Sequence, residues 1–128
     1  MSDKRVVLVT CSSQEEASRI ARAVVSARLA ACVNILDSPV RSVYRWKGRM
    51  ETAMEYLLII KTRRARLRAL ESAVAALHSY QTPEFIALPI AEGSRKYLAW
   101  LDESVRGVSI RSPKRRPPER SPSRAKGR

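Results

Sequence analysis

The sequence predicts an α+β sandwich of the split βαβ–βαβ, ferredoxin-like kind, with long hairpin strands and a C-terminal helix. In that arrangement a four-stranded antiparallel sheet carries both main helices on one face. Two observations lead there. A short β-branched run, an amphipathic helix and an alternating strand follow one another twice along the chain. The first helix also passes into its strand over only Leu29-Ala-Ala-Cys-Val-Asn34, with no Gly or Pro, which requires a compact αβ unit. The folded domain is expected over residues 4–105.

Val6–Cys11 is apolar and β-branched, as a strand covered on both faces is. Ser13-Gln-Glu-Glu16 reads as a capping box, its hydroxyl and carboxylate satisfying the first amides of a helix. Ala17, Ile20, Ala21, Val24 and Leu29 then recur at helical spacing. A second strand runs from about Ala31 to Trp46, with a bulge or kink expected at Asp37-Ser-Pro39. Gly48 marks a turn, and Thr52–Thr62 is the third strand, with Met54, Tyr56, Leu58 and Ile60 on one face. Leu67, Leu70, Val74 and Leu77 form the buried stripe of a second helix, whose first turns carry Arg63, Arg64, Arg66 and Arg68. Thr82-Pro83-Glu84 breaks into a fourth strand, Phe85–Ile90, which Pro89 confines to an edge or an end. Tyr97, Leu98, Trp100 and Leu101 mark the last helix.

Composition narrows the class. Of 128 residues, 45% are hydrophobic but only 5% aromatic, so the core must be aliphatic. The early apolar run Val6–Val9 is too short for a signal-peptide core or a membrane span, so a cytoplasmic protein with no membrane contact is expected. Cys11 and Cys32 cannot make a zinc site by themselves, and a disulfide is rare in the cytosol, so both read as buried thiols. Just over half of the net charge of +13 sits in residues 107–128, where eight basic residues face Glu119 alone. Rich in Pro, Ser and Arg, the segment 106–128 is expected to be a disordered tail. It suits at most weak, nonspecific contact with nucleic acid or another anion, since it has no aromatic residue for base stacking.

Five stretches then resemble one family. They are Leu29-Ala-Ala-Cys-Val-Asn34, Ser42-Val-Tyr-Arg-Trp-Lys-Gly48, Glu55 with Lys61-Thr62, Tyr80-Gln-Thr-Pro-Glu84, and Gly93 followed by Tyr97-Leu98-Ala-Trp100. In this order, over about Val6 to Leu101, they resemble the CutA, or divalent-cation tolerance, family. The resemblance implies a ferredoxin-like subunit in a tight homotrimer, with hairpin strands pairing across subunits. It implies a role in response to metal ions, copper among them, with no established reaction. Two positions depart from the family pattern: Ser79 stands where His-Pro-Tyr is usual, and Val9 and Leu77 stand at positions that hold copper ligands in some members.

For a metal, the candidates are His78, the single histidine, and Cys11, two residues from Val9 on the same strand face. The plainer reading is a helix-terminal histidine on the last carbonyls beside an inert thiol. No cofactor is required by these residues; copper or another divalent cation is the one the resemblance suggests. Cys32 lacks a neighbouring base and reads as a packed thiol at the helix–sheet joint. Tyr44 and Trp46 near the hairpin tip, with Trp100, suit an oligomer interface. Glu55, Lys61 and Glu84 could line a cleft between subunits for an anion or a metal complex. A cleft of Lys61, Tyr80 and Glu84 of one subunit with Trp46 of another would resemble the ligand sites of the similarly folded PII sensors. No catalytic residue is expected: acyl-phosphate chemistry needs a phosphate loop, and Cys11-Ser-Ser-Gln occupies its place.

Overall fold

A computed structural model describes residues 2–106, so the expected basic tail lies outside the described residues from Gly107 onward. The elements are β1 (Lys4–Cys11), α1 (Gln14–Ser26), β2 (Cys32–Ile35), β3 (Val40–Trp46), β4 (Arg49–Arg63), α2 (Leu67–Leu77), β5 (Ile86–Pro89) and α3 (Arg95–Ser104). The strands run in the order β2-β4-β1-β5, every neighbour antiparallel, and β3 pairs with the far half of β4. This is the split βαβ arrangement, closed at one edge by the short β5 with Pro89 at its end.

The core follows from alternation. Val7, Val9 and Cys11 of β1 stand opposite Ile60, Leu58 and Tyr56 of β4, and all but Tyr56 are fully buried. Ile20 and Val24 of α1 and Leu70 and Val74 of α2 complete one cluster with them. Each such aliphatic side chain contributes about 1.5–3 kcal/mol through burial. Spacing puts Met54 on this face too, but Met54 lies on the part of β4 that pairs with β3 and not β1, and it is exposed.

β4 is three residues longer at its start than the sequence suggested, and the expected second strand is two strands. β2 pairs with Leu58–Lys61 and β3 with Arg49–Glu55, so the break at 36–39 lets one long strand serve both. The hairpin turns through Lys47 (φ 51°) and Gly48 (φ 80°) between the paired Trp46 and Arg49. Two positive φ values in a two-residue loop make a type I′ turn, whose twist matches the strands it joins.

The joint at 27–30 is equally specific. α1 ends on Ala27, and Arg28 takes the left-handed conformation at φ 60°. The amides of Arg28 and Leu29 donate to the carbonyls of Val25 and Val24, the Schellman pattern that usually calls for glycine. Thr62 Oγ1 then donates to the Leu29 carbonyl at 2.7 Å, and the Ala31 amide to Lys61, which leads the chain into β2. The joint is compact as the sequence suggested, but the left-handed residue is an arginine.

On the opposite sheet face, Asp102 of α3 meets Lys4 and Arg63 at one end. Further along, Leu8 and Ile59 are half-buried, and Ile86 and Leu88 are about half exposed. Tyr44, Trp46 and Trp100 are exposed as well. Among the described residues, no helix is long and apolar enough to cross a membrane.

Candidate functional site

Two neighbouring arrangements lie where β1 and α1 meet the corner after α2. The first is a buried polar network. Ser13 caps α1, its Oγ accepting the Glu16 amide at 3.1 Å. The Glu16 carboxylate does not close the capping box on Ser13. Its Oε1 accepts the Ser12 amide (3.1 Å), and its Oε2 accepts the Ser79 amide from the distant corner (2.5 Å). Burial alone raises a carboxyl pKa, but the bonds from Ser12 and Ser79 outweigh it and hold Glu16 below its ordinary value.

His78 sits against the same carboxylate. Its Nδ1 accepts the Tyr80 amide at 3.1 Å, so the ring proton resides on Nε2, which is 2.8 Å from the Thr10 carbonyl. That carbonyl belongs to β1, not to the end of the helix as the plainer reading had it. Cys11, Glu16 and His78 each bring a donor atom within 4.8 Å of the others. The structure therefore joins the two residues expected as metal ligands and adds Glu16. These donors do not fit a resident metal ion. Both ring nitrogens and both carboxylate oxygens are already hydrogen-bonded. Burial, then the charges of Glu16 and Glu55, push the Cys11 thiol up to about 12, so it stays protonated.

The second arrangement is a cavity of about 780 Å³ between the β3–β4 hairpin and the corner 79–84. Glu55, on β4 beyond the helix layer, is 6% exposed, and Tyr80 Oη donates to its Oε2 at 2.8 Å. Among the described residues nothing bonds the other oxygen of Glu55. Burial, the bond to Glu55 and that carboxylate's charge together raise the Tyr80 phenol, so it remains a donor. Glu84 lines the same cavity, and its carboxyl is raised by burial and then by the charge of Glu55. Tyr44 and Trp46 add ring surface from β3. The rings of His78 and Tyr80 lie 4.7 Å apart, so the network and the cavity share a wall.

Four of the expected cleft residues, Glu55, Tyr80, Glu84 and Trp46, thus line one cavity of this chain. Lys61 does not belong to it. Lys61 stands six residues along β4 from Glu55, about 20 Å at the rise of a strand. There it bonds Asn34 and approaches Cys32 Sγ at 3.9 Å. Cys32 itself lies on the opposite face from the helices, half-buried beside Lys61, and not packed at the helix–sheet joint. Among the described residues, no Lys, Arg or His lines the cavity. Glu16 and Ser79 are the participants that sequence reasoning missed as site residues. Their link spans 63 residues and has no local signal.

Known proteins resemble this chain in sequence and fold. Residues 5–104 match the family model described as CutA1 divalent ion tolerance protein. The Divalent-cation tolerance protein CutA of Thermus thermophilus is 50% identical over 102 residues, which cover 80% of this chain and 98% of that protein. A rice protein named CutA 1, chloroplastic, is also 50% identical, over 79% of this chain but only 56% of its own length. This chain therefore spans just over half of that longer relative. The solved T. thermophilus structure superposes with a TM-score of 0.77, covering 79% of this chain and 97% of that one. The structure titled periplasmic divalent cation tolerance protein CutA, from Archaeoglobus fulgidus, gives the same TM-score at 41% identity over 80% of this chain and 98% of that one.

Proposed function

Since this chain belongs to the CutA1 divalent ion tolerance family, we propose that it is a ligand-binding module and not a catalyst, working as a cytoplasmic homotrimer. Its ligand enters the cavity between the β3–β4 hairpin and the 79–84 corner and carries positive charge. The observation behind this reading is the pair Glu55 and Glu84, facing one cavity of a strongly basic chain whose lining, among the described residues, includes no cationic side chain. The cavity lies within the size range of small-molecule sites. Two carboxylates without a counter-ion favour a cation over the anionic metabolite of a PII-like sensor. Against catalysis, the Cys11 thiol stays protonated and both His78 nitrogens are engaged, so the nearest nucleophile lacks a base.

The trimer is supported by what a lone subunit leaves open. Ile86 and Leu88 stand about half exposed on the sheet, the ring of Trp100 is uncovered, and β3 pairs along one edge only. The cytoplasmic setting is supported by the free thiols of Cys11 and Cys32. For copper, Cys11 and His78 are the soft donors of the network. They would first have to give up a thiol proton and release the ring from Thr10 or Tyr80, so the fold's own bonds stand against a resident ion there.

A thermal-shift screen at fixed protein concentration tests the reading. Cations should raise the melting temperature, and Glu84→Gln should reduce that rise at equal cation concentration, as mass action requires. Stabilisation by phosphate or a nucleotide instead would restore the anionic reading. Equal copper binding by wild type and the Cys11→Ala/His78→Ala variant would remove copper from the account.

A further inference from the structure

The cavity wall holds more than a bare metal ion can use. A hard divalent ion gathers about six oxygens at close range, and its coordination sphere fills only a small part of about 780 Å³. Here two carboxylates share the space with three large rings, Tyr44, Trp46 and Tyr80. Glu55 is nine-tenths buried, with one oxygen held by Tyr80 and the other unbonded among the described residues. Aromatic faces attract cations that are too weakly hydrated to stay in water, alkylammonium ions above all. The chain's own Lys47 illustrates the attraction, with its Nζ 5.8 Å from the centroid of the Trp46 ring, although Lys47 does not line the cavity. Thr10, Ser42 and Gln81 leave room on the same wall for a hydroxyl or amide on the ligand.

We infer that the cavity is a site for a small organic ammonium ion, with its charge between Glu55 and Glu84 and its alkyl groups against Tyr44, Trp46 and Tyr80. This rests on the reading of the cavity as a cation site and names the class of cation. Charge and shape must be recognised together. A neutral molecule of the same shape gains the rings but leaves Glu55 and Glu84 uncompensated. A divalent ion gains the carboxylates and ignores the rings.

Calorimetric titration of the full-length protein separates these cases, with choline, its uncharged isostere 3,3-dimethylbutan-1-ol, and manganese(II) as probes. Choline should bind saturably and the isostere should not. Glu84→Gln should weaken choline by about tenfold, the loss of one partly solvated charge contact. Tyr44→Leu should weaken choline several-fold while leaving manganese unchanged. Equal binding of choline and the isostere, or choline binding insensitive to Glu84→Gln, overturns the inference. Manganese binding that depends on Glu84, with no choline binding, overturns the ammonium assignment and leaves the cation site standing. If neither cation binds, both readings fall.

Discussion

Replacing Glu16 by Gln probes the network that holds the 78–80 corner. Glu16 is 3% exposed, and its two oxygens accept amides from Ser12, next to its own helix, and from Ser79, across the fold. A hydrogen bond to a charged acceptor contributes about 1.5–3 kcal/mol, and a neutral one about 1 kcal/mol. Glutamine keeps one acceptor oxygen but turns an NH₂ group toward the second amide, so one charged bond is lost and the other weakened. The expected loss is about 2–3 kcal/mol, or roughly 1–2 M in the urea midpoint for a domain of this size. The assay is urea unfolding followed by circular dichroism at one fixed protein concentration, because assembly makes stability concentration-dependent. The pH profile supplies a second signature. The folded pKa of Glu16 lies below its unfolded value, so its contribution is present at neutral pH and lost as pH falls through the folded value. The gap between wild type and variant should therefore narrow below about pH 4. A loss under about 0.5 kcal/mol, or a gap that does not depend on pH, would refute the role given to Glu16.

Further outcomes follow from neighbouring features. Arg28→Gly should raise stability by about 0.5–1 kcal/mol in the same assay, because glycine occupies the left-handed position without strain; destabilisation would count against the observed joint. Ser79→Pro should cost about 1–2 kcal/mol, because proline removes the amide that Glu16 accepts, and a stabilised variant would show that the corner is held otherwise. Cys11 should react with iodoacetamide at pH 8 about a thousand-fold more slowly in the folded protein than in urea, read by mass spectrometry, as a thiol pushed up to about 12 requires. Glu84→Gln should stabilise the ligand-free protein at neutral pH, and that gain should vanish in acid. A raised carboxyl pKa lowers stability only once pH exceeds the unfolded value.

Much of the fold was legible because both helices and the central strands bury one face against a single core. Ile20, Val24, Leu70 and Val74 recur at helical spacing, and Val7, Val9, Leu58 and Ile60 at strand spacing, so the pattern states the packing. The hairpin arms were less legible. Arg49, Met50 and Thr52 are exposed, so no alternation marks the true start of β4. Arg28 gave no sign of its left-handed turn, since the cue for that conformation is glycine. For the candidate site, the residue types were readable and their grouping only in part. Glu55 and Lys61 share a face of β4 by parity, yet one face of a long strand is not one place, and only Glu55 reaches the cavity. Glu16 looked like a local cap because sequence shows the neighbour three residues away and not the amide of Ser79 folded back onto it.

A cation seated in the cavity lies beside Trp46, whose indole reports its arrival. The chain has two tryptophans, and only Trp46 lines that space, so Trp100→Phe leaves it as the sole indole reporter. Titrating this variant with choline should change the Trp46 emission saturably, and adding Glu84→Gln should shift the midpoint to higher concentration. An emission unchanged by choline, or changed equally by its uncharged isostere, would contradict the account.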